Sequence, residues 1–239
     1  LADNTASASN YSLSSATLNI TQRPLNLSAT KAYDGNTTFT SGTVTLSNLS
    51  GGQTINTSGS ITTNSANVAS YGTSDITVSS LSLADGTGAA SNYTLSGGTY
   101  SASVTQKILG LTGSRVYNAT TTASSSELSL SGLVGSETLT LSGSGTLTSS
   151  AVGTGKTITL NTLAISNNTG LASNYNLSGT ATMNVTTRAV TATGSRVYDG
   201  TTTISGTDLT TISNLAGSDS LSLTGSGSAT ADVGNSKSV

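Results

Sequence analysis

The sequence predicts an all-β chain of tandem sandwich-like modules, and three observations carry that prediction. Apolar residues alternate with serine and threonine over short stretches, glycine-containing turns separate those stretches, and the pattern returns after about 82 residues. A period of two puts the apolar side chains on one face of a strand and the hydroxyls on the other. No window keeps the i, i+3, i+4 apolar spacing of an amphipathic helix. The clearest predicted strands are 43–46, 76–78, 128–130, 139–141, 158–160 and 221–223.

The first repeat anchor is the segment Ser-Asn-Tyr-x-Leu-Ser. It occurs three times, and its tyrosines are 82 positions apart on both intervals. In sandwich folds, a corner tyrosine buries its ring and uses its hydroxyl to tie a loop to the core. We therefore expect structural anchors at Tyr11, Tyr93 and Tyr175.

The second anchor is a basic residue followed two positions later by tyrosine, at Lys31, Arg115 and Arg196. The two residues share a strand face, so the aliphatic stem of the first can lie along the ring of the second. Asp-Gly follows in two copies and predicts a turn, because glycine tolerates positive φ and aspartate bonds its own backbone. The structural anchors expected here are Tyr33, Tyr117 and Tyr198.

Module boundaries are expected where a basic residue follows a strand-like end. They give the C-terminal part of a preceding module (1–23), two complete modules (24–107 and 108–188) and the N-terminal part of a following module (189–239). Roughly seven strands in about 80 residues favour an immunoglobulin-like β-sandwich for each module. The alternative is a β-solenoid, which repeats every ~20–30 residues and would show a much shorter period.

Composition restricts the classes of function. The chain has no cysteine and no histidine, and 8% of its residues are charged, for a net charge of -2. Thiol chemistry and the commonest general base are therefore missing, and the two glutamates, Glu127 and Glu137, have no evident equivalents in other copies. We expect no enzyme. The low charge argues against nucleic acid, and no apolar run approaches the ~18 residues that insert in a membrane.

Three aspartates are candidate metal ligands, namely Asp34, Asp85 and Asp199. Loop carboxylates are typical calcium ligands. The middle copy has Asn118 and Ala119 in place of Asp-Gly, which removes the charge but keeps a residue that supports a turn. The favoured interpretation is therefore a structural turn without a cofactor, and calcium is the alternative.

Three segments in combination resemble a known family: Tyr-Asp-Gly-Thr-Thr at 198–202, Val-Gly-x-Gly-Lys-Thr at 152–157 and Asn-Tyr-x-Leu-Ser-Gly at 92–97. They resemble the YDG repeat of filamentous-haemagglutinin-like and other large bacterial surface adhesins, over essentially the whole chain. The resemblance implies an extracellular protein at the outer membrane of a Gram-negative cell, whose tandem modules form a stalk or fibre. The chain departs from the pattern at 118–119 and at 68–72, where the Gly-x-Gly-Lys stretch is absent.

The expected function is a structural spacer that supports adhesion to a cell surface or within a biofilm. Very short linkers should join the modules into a semi-rigid rod, with neighbouring modules and an unknown surface receptor or glycan as partners. The alternative is a carbohydrate- or ice-binding repeat that uses paired threonines (Thr43 with Thr45, Thr138 with Thr140). Residues 189–239 should also expose a strand edge, which predicts head-to-tail self-association into fibres through residues 1–23.

Overall fold

The alternating serine, threonine and apolar stretches form strands in the computed structural model, which describes residues 1–230, 232–234 and 238. The all-β prediction is confirmed, because the described chain contains strands and short 3₁₀ turns. The described residues hold no helix with the length and apolar character needed to cross a membrane. The chain divides into two compact units, Leu1–Thr105 and Gln106–Val239.

The first unit contains ten strands and four 3₁₀ turns. The turns are Ala8–Asn10, Ser41–Thr43, Thr73–Asp75 and Ala90–Asn92. The strands are β1 (Arg23–Pro24), β2 (Asn26–Ala32), β3 (Thr38–Thr40), β4 (Val44–Ser47), β5 (Ile55–Thr63), β6 (Ala69–Tyr71), β7 (Ile76–Thr77), β8 (Leu81–Asp85), β9 (Tyr93–Thr94) and β10 (Tyr100–Thr105).

A parallel pair lies at the centre of the main sheet of the first unit. That sheet has the order β4-β2-β10-β6, and β2 runs parallel to β10 from Leu27–Tyr100 to Ala32–Thr105. A second sheet has the order β3-β5-β7 with β8 also paired to β5, and β1 pairs in parallel with β9. The first and last long strands of the unit are therefore neighbours, which no local sequence pattern indicates.

The core of the first unit comes from the alternate apolar positions of these strands. Leu25, Phe39 and Ile61 are almost completely buried, and the hydroxyl-bearing neighbours of Leu27 and Ala29 on β2 face solvent. The other buried apolar side chains are Leu27, Ala29, Tyr33, Tyr71, Ile76, Leu81, Tyr93, Tyr100, Ala102 and Val104.

The second unit repeats the same set of strands and then begins another. Its 3₁₀ turns are Ser125–Glu127, Ala172–Asn174 and Gly206–Asp208. The strands are β11 (Lys107–Ile108), β12 (Gly110–Val116), β13 (Thr122–Ser124), β14 (Leu128–Ser131), β15 (Leu139–Ser142), β16 (Ser144–Leu147), β17 (Gly153–Thr159), β18 (Ala164–Asn167), β19 (Tyr175–Asn176), β20 (Ala181–Thr186), β21 (Thr191–Thr193), β22 (Thr203–Ser205), β23 (Thr211–Ser213) and β24 (Ser226–Ser228).

The main sheet of the second unit again centres on a parallel pair. Its order is β13-β16-β17-β20-β12-β14, with β12 parallel to β20. Smaller sheets pair β11 with β19 (again in parallel), β15 with β18, β21 with β23 and β22 with β24. The core cluster contains Leu111, Ala123, Leu147, Ile158, Leu163, Ala181, Met183 and Val185.

One glycine in each complete set of strands lets the chain pass from one sheet to the next. Gly59 and Gly143 have φ of 87° and 84°. A Cβ at these positions would lie 2.0 Å from the Ser80 carbonyl oxygen and 2.1 Å from that of Thr162. Only glycine fits such a close backbone approach at positive φ. At Gly59, β5 changes its partner from β8 to β3 and β7, and at Gly143 the chain passes from β15 to β16.

The immunoglobulin-like arrangement is not confirmed, and the central parallel pair differs from the antiparallel sheets of that fold. The stretch 221–223, predicted as a strand, is not one. Its counterpart in the preceding repeat, β15, is a strand that pairs with β18.

Candidate functional site

The repeated basic residue is the centre of a turn that its own hydrogen bonds close. The Lys31 ammonium donates to the Asp34 carboxylate at 2.8 Å and to the carbonyl oxygens of Asn36 at 2.6 Å and Thr38 at 2.9 Å. It also lies 4.8 Å from the centroid of the Phe39 ring, a cation–π contact that sequence reasoning missed. All three donors of the ammonium therefore have acceptors within the turn.

Arg196 makes the same arrangement in the second unit. Its guanidinium donates to the carbonyl oxygens of Thr201 and Thr203 and to the Asp199 carboxylate at 3.3 Å. These acceptors lie three, five and seven positions after the basic residue, as they do after Lys31. The same hydrogen-bonded turn therefore occurs in both copies.

The middle copy keeps the hydrogen bonds from the basic residue to two carbonyl oxygens, but its carboxylate comes from a different part of the chain. The Arg115 guanidinium donates to the carbonyl oxygens of Thr120 and Thr122, again five and seven positions later. Asn118 occupies the position of the aspartate and brings no charge. Glu127 supplies it instead, with its carboxylate 3.4 Å from Arg115. Because Arg115 is buried, with only 5% of its side chain exposed, a nearby negative charge offsets part of its desolvation.

The backbone of the turn is the same in all three copies. Gly35 and Gly200 have φ of 78° and 75°, and Ala119 adopts 65° although it is not glycine. The residue before each one accepts a hydrogen bond on its side-chain oxygen from the backbone N–H two positions later, at 2.9, 3.1 and 2.9 Å for Asp34, Asn118 and Asp199. Asparagine therefore preserves the turn without the charge.

Two of these aspartates have a lowered pKa. For Asp34, partial burial acts to raise the pKa, but the hydrogen bonds from Lys31 and from the Asn36 N–H, with the Lys31 charge, together outweigh it. For Asp199, the hydrogen bonds from the N–H and the hydroxyl of Thr201 lower the pKa, and the charge of Arg196 adds to them. Both carboxylates are thus held in their charged form by the turn itself.

The predicted calcium ligands are placed in separate turns. Asp34 and Asp199 belong to the turns just described, and Asp85 accepts a hydrogen bond from the Ala90 N–H at 2.7 Å. Asn167 does the same for the Ala172 N–H, also at 2.7 Å. Among the described residues, no three acidic side chains gather closely enough to hold a metal ion.

Two of the Asn-Tyr tyrosines are buried, and the hydroxyl of each one both donates and accepts a hydrogen bond. Tyr93 is 4% exposed, and its hydroxyl donates to the Gln53 side chain at 2.6 Å and accepts from the Ser50 N–H at 3.1 Å. Tyr175 is 2% exposed, and its hydroxyl donates to the Glu137 carboxylate at 2.6 Å and accepts from the Val134 N–H at 3.0 Å. Each hydroxyl joins the segment that carries it to a turn about 40 residues earlier.

Among the remaining predicted anchors, Tyr33 is also buried, whereas Tyr11 and Tyr198 are 65% and 63% exposed. The Tyr117 hydroxyl donates to the Asp219 carboxylate at 2.9 Å, and this hydrogen bond is the main cause that raises the Tyr117 pKa.

The expectation that Glu127 and Glu137 have no equivalents is wrong, because both have an aspartate as counterpart in the next copy. Asp219 follows Glu137 by 82 positions, and Asp208 follows Glu127 by 81. Glu127 accepts from the Ser124 N–H and Asp208 accepts from the Ser205 N–H, in matching capping boxes. The difference in side-chain length between glutamate and aspartate concealed this relationship in the sequence.

A cleft of about 430 Å³ adjoins the Tyr117–Asp219 pair within the second unit. Arg188 lies at its edge, and the Arg188 guanidinium also holds the backbone oxygen and the side chain of Asn214, at 2.6 and 2.7 Å. The apolar part of the lining consists of Val152, Val190, Leu215, Ala216 and Leu221.

Comparison with known proteins gives one family. A family model described as the YDG domain matches residues 17–103 and 100–183, which together span more than half of the chain. Each matched range contains one basic–x–Tyr turn and one buried Asn-Tyr tyrosine. Both features therefore belong to the part of the chain that matches the family. No curated protein matches the chain, and no solved structure matches it.

Proposed function

Because the chain belongs to the YDG domain family, we propose that it is a repetitive structural segment of an exported bacterial surface adhesin. In this role the modules form an extracellular stalk or fibre at the outer membrane of a Gram-negative cell. The stalk holds an adhesive region away from the cell and contributes to attachment or to a biofilm. Its modules bind one another along the chain, and a surface receptor or glycan is the partner of the whole protein.

The observation that carries the proposal is that the repeated polar side chains are used inside the fold. The Lys31 ammonium is occupied by acceptors in its own turn, and the hydroxyls of Tyr93 and Tyr175 each donate and accept one hydrogen bond. A binding module repeated for its ligand would direct such groups towards solvent. Repetition here preserves a scaffold, which supports a spacer role.

The composition of the surface supports the same role. Only 8% of the residues are charged, and serine and threonine occupy many of the exposed strand positions. A surface of this kind interacts with water through hydroxyl groups and generates a weak electric field. The absence of cysteine also means that the unfolded chain cannot form disulfides during export.

A small-angle scattering experiment tests the spacer role. The 239-residue chain is compared with a chain that carries a second copy of residues 108–188 inserted after Arg188. A stalk should lengthen by a constant increment for each added copy. A radius of gyration that follows the compact scaling, about the 0.38 power of length, would contradict the proposal.

A second experiment tests the location. Intact cells that express the parent protein are treated with an external protease, and antibodies against residues 24–188 report whether those residues are removed. Loss of the signal from intact cells is expected, with a cytoplasmic protein as the control that stays intact. Full protection of residues 24–188 would contradict a surface location.

The alternative, a carbohydrate- or ice-binding repeat, has less support. Thr43 lies in a 3₁₀ turn and Thr45 on β4, whereas Thr138 lies in a loop and Thr140 on β15. The Thr138 hydroxyl is also within 3.0 Å of that of Thr169. The paired threonines therefore do not share one local geometry. Specific binding of the 239-residue chain on a glycan array would favour this alternative.

A further inference from the structure

We propose that two copies of this chain associate side by side through the outer edge of β14, with Leu130 of one copy opposite Leu130 of the second copy. The contact joins the six-stranded main sheet of one copy to that of the other. The equivalent strand of the first repeat, β4, offers the same edge. This contact is independent of the adhesin role, because it follows from the hydrogen-bonding groups at the edges of the sheets.

The direction of the backbone groups on β14 follows from the pairing of its neighbour, β12. The N–H and C=O of one strand residue point to the same side, and the side alternates along the strand. Leu111 on β12 donates its N–H to the carbonyl oxygen just before β20, at 2.9 Å, so Leu111 faces β20. Thr112 therefore faces β14, where it lies opposite Ser129. The backbone groups of Leu128 and Leu130 consequently point out of the sheet.

Most of these outward-pointing groups are unoccupied. The Leu128 N–H donates to the Ser125 carbonyl oxygen at the end of the 3₁₀ turn. Within the part of the chain that the structure describes, no hydrogen bond reaches the Leu128 carbonyl oxygen or either backbone group of Leu130. All four residues of β14 are exposed or partly exposed, so a new strand has access to this edge.

The first repeat has the same open edge on β4. Leu27 on β2 donates its N–H to the carbonyl oxygen just before β10, at 3.0 Å, so Ser28 faces β4 and lies opposite Thr45. Leu46 therefore points out of the sheet, and its backbone groups have no hydrogen bond to any described residue. The Val44 N–H is occupied by the preceding 3₁₀ turn, as at the start of β14.

The repeated basic residue closes the opposite edge of the main sheet. β13 is the other edge strand, and the Thr122 carbonyl points away from β16, because the preceding carbonyl accepts from the Leu147 N–H. The Arg115 guanidinium donates to this outward Thr122 oxygen. In the first repeat, Lys31 donates in the same way to the Thr38 oxygen on the edge strand β3, at 2.9 Å. A charged side chain at an edge strand opposes pairing with another strand.

The edges of β4 and β14 have no such protection. Neither strand contains a proline or a charged residue, and neither pairing has a bulge. These are the features with which natural proteins prevent edge strands from pairing. Because Arg115 occupies the β13 edge and the β14 edge is free, the main sheets of two copies are expected to meet through β14 on both sides.

The sequence of β14 is complementary to itself. In an antiparallel pair centred on Leu130, each Leu130 N–H donates to the Leu130 carbonyl oxygen of the other copy, which uses the groups that are open. Ser129 then lies opposite Ser131 of the second copy. Both are small and uncharged, so the pair has no charge repulsion across it. The same patch serves both copies, as in an isologous dimer. The edge is only four residues long, and the contact should therefore be reversible.

Disulfide trapping tests the register of the contact. The chain has no cysteine, so introduced cysteines are the only thiols. One chain carries Ser129→Cys and another Ser131→Cys, two positions that the proposed pair brings to a Cα separation of about 4.5 Å, which suits a disulfide. The mixture should form the disulfide several-fold faster than either chain with itself. The control is Thr157→Cys, also exposed but on the interior strand β17, which should react slowly with Ser131→Cys.

Sedimentation tests whether the edges cause association. The edge variant has four lysines at exposed positions of β4 and β14, namely Thr45→Lys, Ser47→Lys, Ser129→Lys and Ser131→Lys. The matched control has the same four charges at exposed positions of interior strands, namely Ser28→Lys, Ser101→Lys, Thr112→Lys and Thr157→Lys. The mass of the parent chain and of the control should rise with concentration, whereas the edge variant should stay monomeric because like charges would face each other.

Circular dichroism should show the same folded spectrum for all these chains, since each substituted side chain is exposed. A parent chain that stays monomeric at every concentration would overturn the proposal. A control as monomeric as the edge variant would overturn it too, because the contact would then involve the face of the sheet. Equal rates of disulfide formation in the Ser129→Cys and Thr157→Cys mixtures with Ser131→Cys would contradict the register.

Discussion

The Glu127 carboxylate lies 3.4 Å from the Arg115 guanidinium, although the two residues are 12 positions apart in the chain. In the other two copies of this turn, the charge partner is an aspartate three positions after the basic residue. In the middle copy Asn118 stands at that position, and the charge partner of Arg115 comes from the next 3₁₀ turn. The third copy has an acid at both positions, Asp199 and Asp208, and there Arg196 pairs with the nearer one, Asp199.

The Arg115 site predicts a rescue by substitution. Glu127→Gln should lower the free energy of unfolding by about 1 kcal/mol, because the Ser124 N–H keeps an acceptor but Arg115 loses its charge partner. Asn118→Asp, which recreates the arrangement of Lys31 and Arg196, should recover most of that loss in the double variant. Urea denaturation of the four chains measures the coupling. Additive effects of the two substitutions would show that the carboxylates do not share Arg115.

Removal of Arg115 itself should have a larger effect. Arg115→Ala is expected to destabilise the second unit by about 3 kcal/mol, since it leaves buried carbonyl oxygens and a carboxylate without their donor. Arg196→Ala is the matched control, because that side chain is 23% exposed and water can replace it. Equal losses for the two variants, measured by urea denaturation, would contradict the importance of burial.

Ala119 predicts a stabilising substitution. It holds φ of 65°, in the left-handed region where a Cβ costs roughly 1–2 kcal/mol, and its counterparts Gly35 and Gly200 avoid that cost. Ala119→Gly should therefore raise the free energy of unfolding by about 1 kcal/mol, after the greater entropy of unfolded glycine is deducted. Ala151→Gly, at an exposed position without positive φ, is the control and should stabilise nothing. Thermal denaturation followed by circular dichroism compares the two.

Removal of a tyrosine hydroxyl should lower the free energy of unfolding only where that hydroxyl is buried. Tyr175→Phe removes the hydroxyl that accepts from the Val134 N–H and donates to the Glu137 carboxylate, and should cost about 1–3 kcal/mol. Tyr198→Phe should be neutral because Tyr198 is 63% exposed. Chemical denaturation of both variants provides the measurement. A neutral Tyr175→Phe would mean that the hydroxyl does not tie the segment to the turn.

The lowered pKa of Asp34 predicts a pH dependence. A carboxyl group whose pKa is lower in the folded than in the unfolded state stabilises the fold above its unfolded pKa, about 3.9. That contribution is lost as the pH falls through the folded pKa. The parent chain should therefore be more stable than Asp34→Asn at pH 7, and the difference should shrink below pH about 4. A difference that is constant from pH 7 to pH 2 would contradict a charge effect.

Much of the fold could be predicted from local sequence. The strands at 43–46 and 128–130 were predicted because a period-two pattern depends only on near neighbours. The parallel pairing of Leu27 with Tyr100 could not be predicted, because it joins residues that are far apart in the sequence and produces no periodic pattern. The Lys31–Phe39 contact and the Glu127–Arg115 pair were missed for a similar reason. Both depend on how the chain returns after the turn.

The parallel arrangement of β2 and β10 determines how a repeat responds to tension. The start of β2 and the end of β10 lie at opposite ends of the pair, because the strands run in the same direction. A pull on both ends of the repeat therefore loads the pairs from Leu27–Tyr100 to Ala32–Thr105 together, in shear. An antiparallel pair pulled from one end opens one hydrogen bond at a time. Each repeat is thus arranged to resist stretching until its central strands slide apart as a whole.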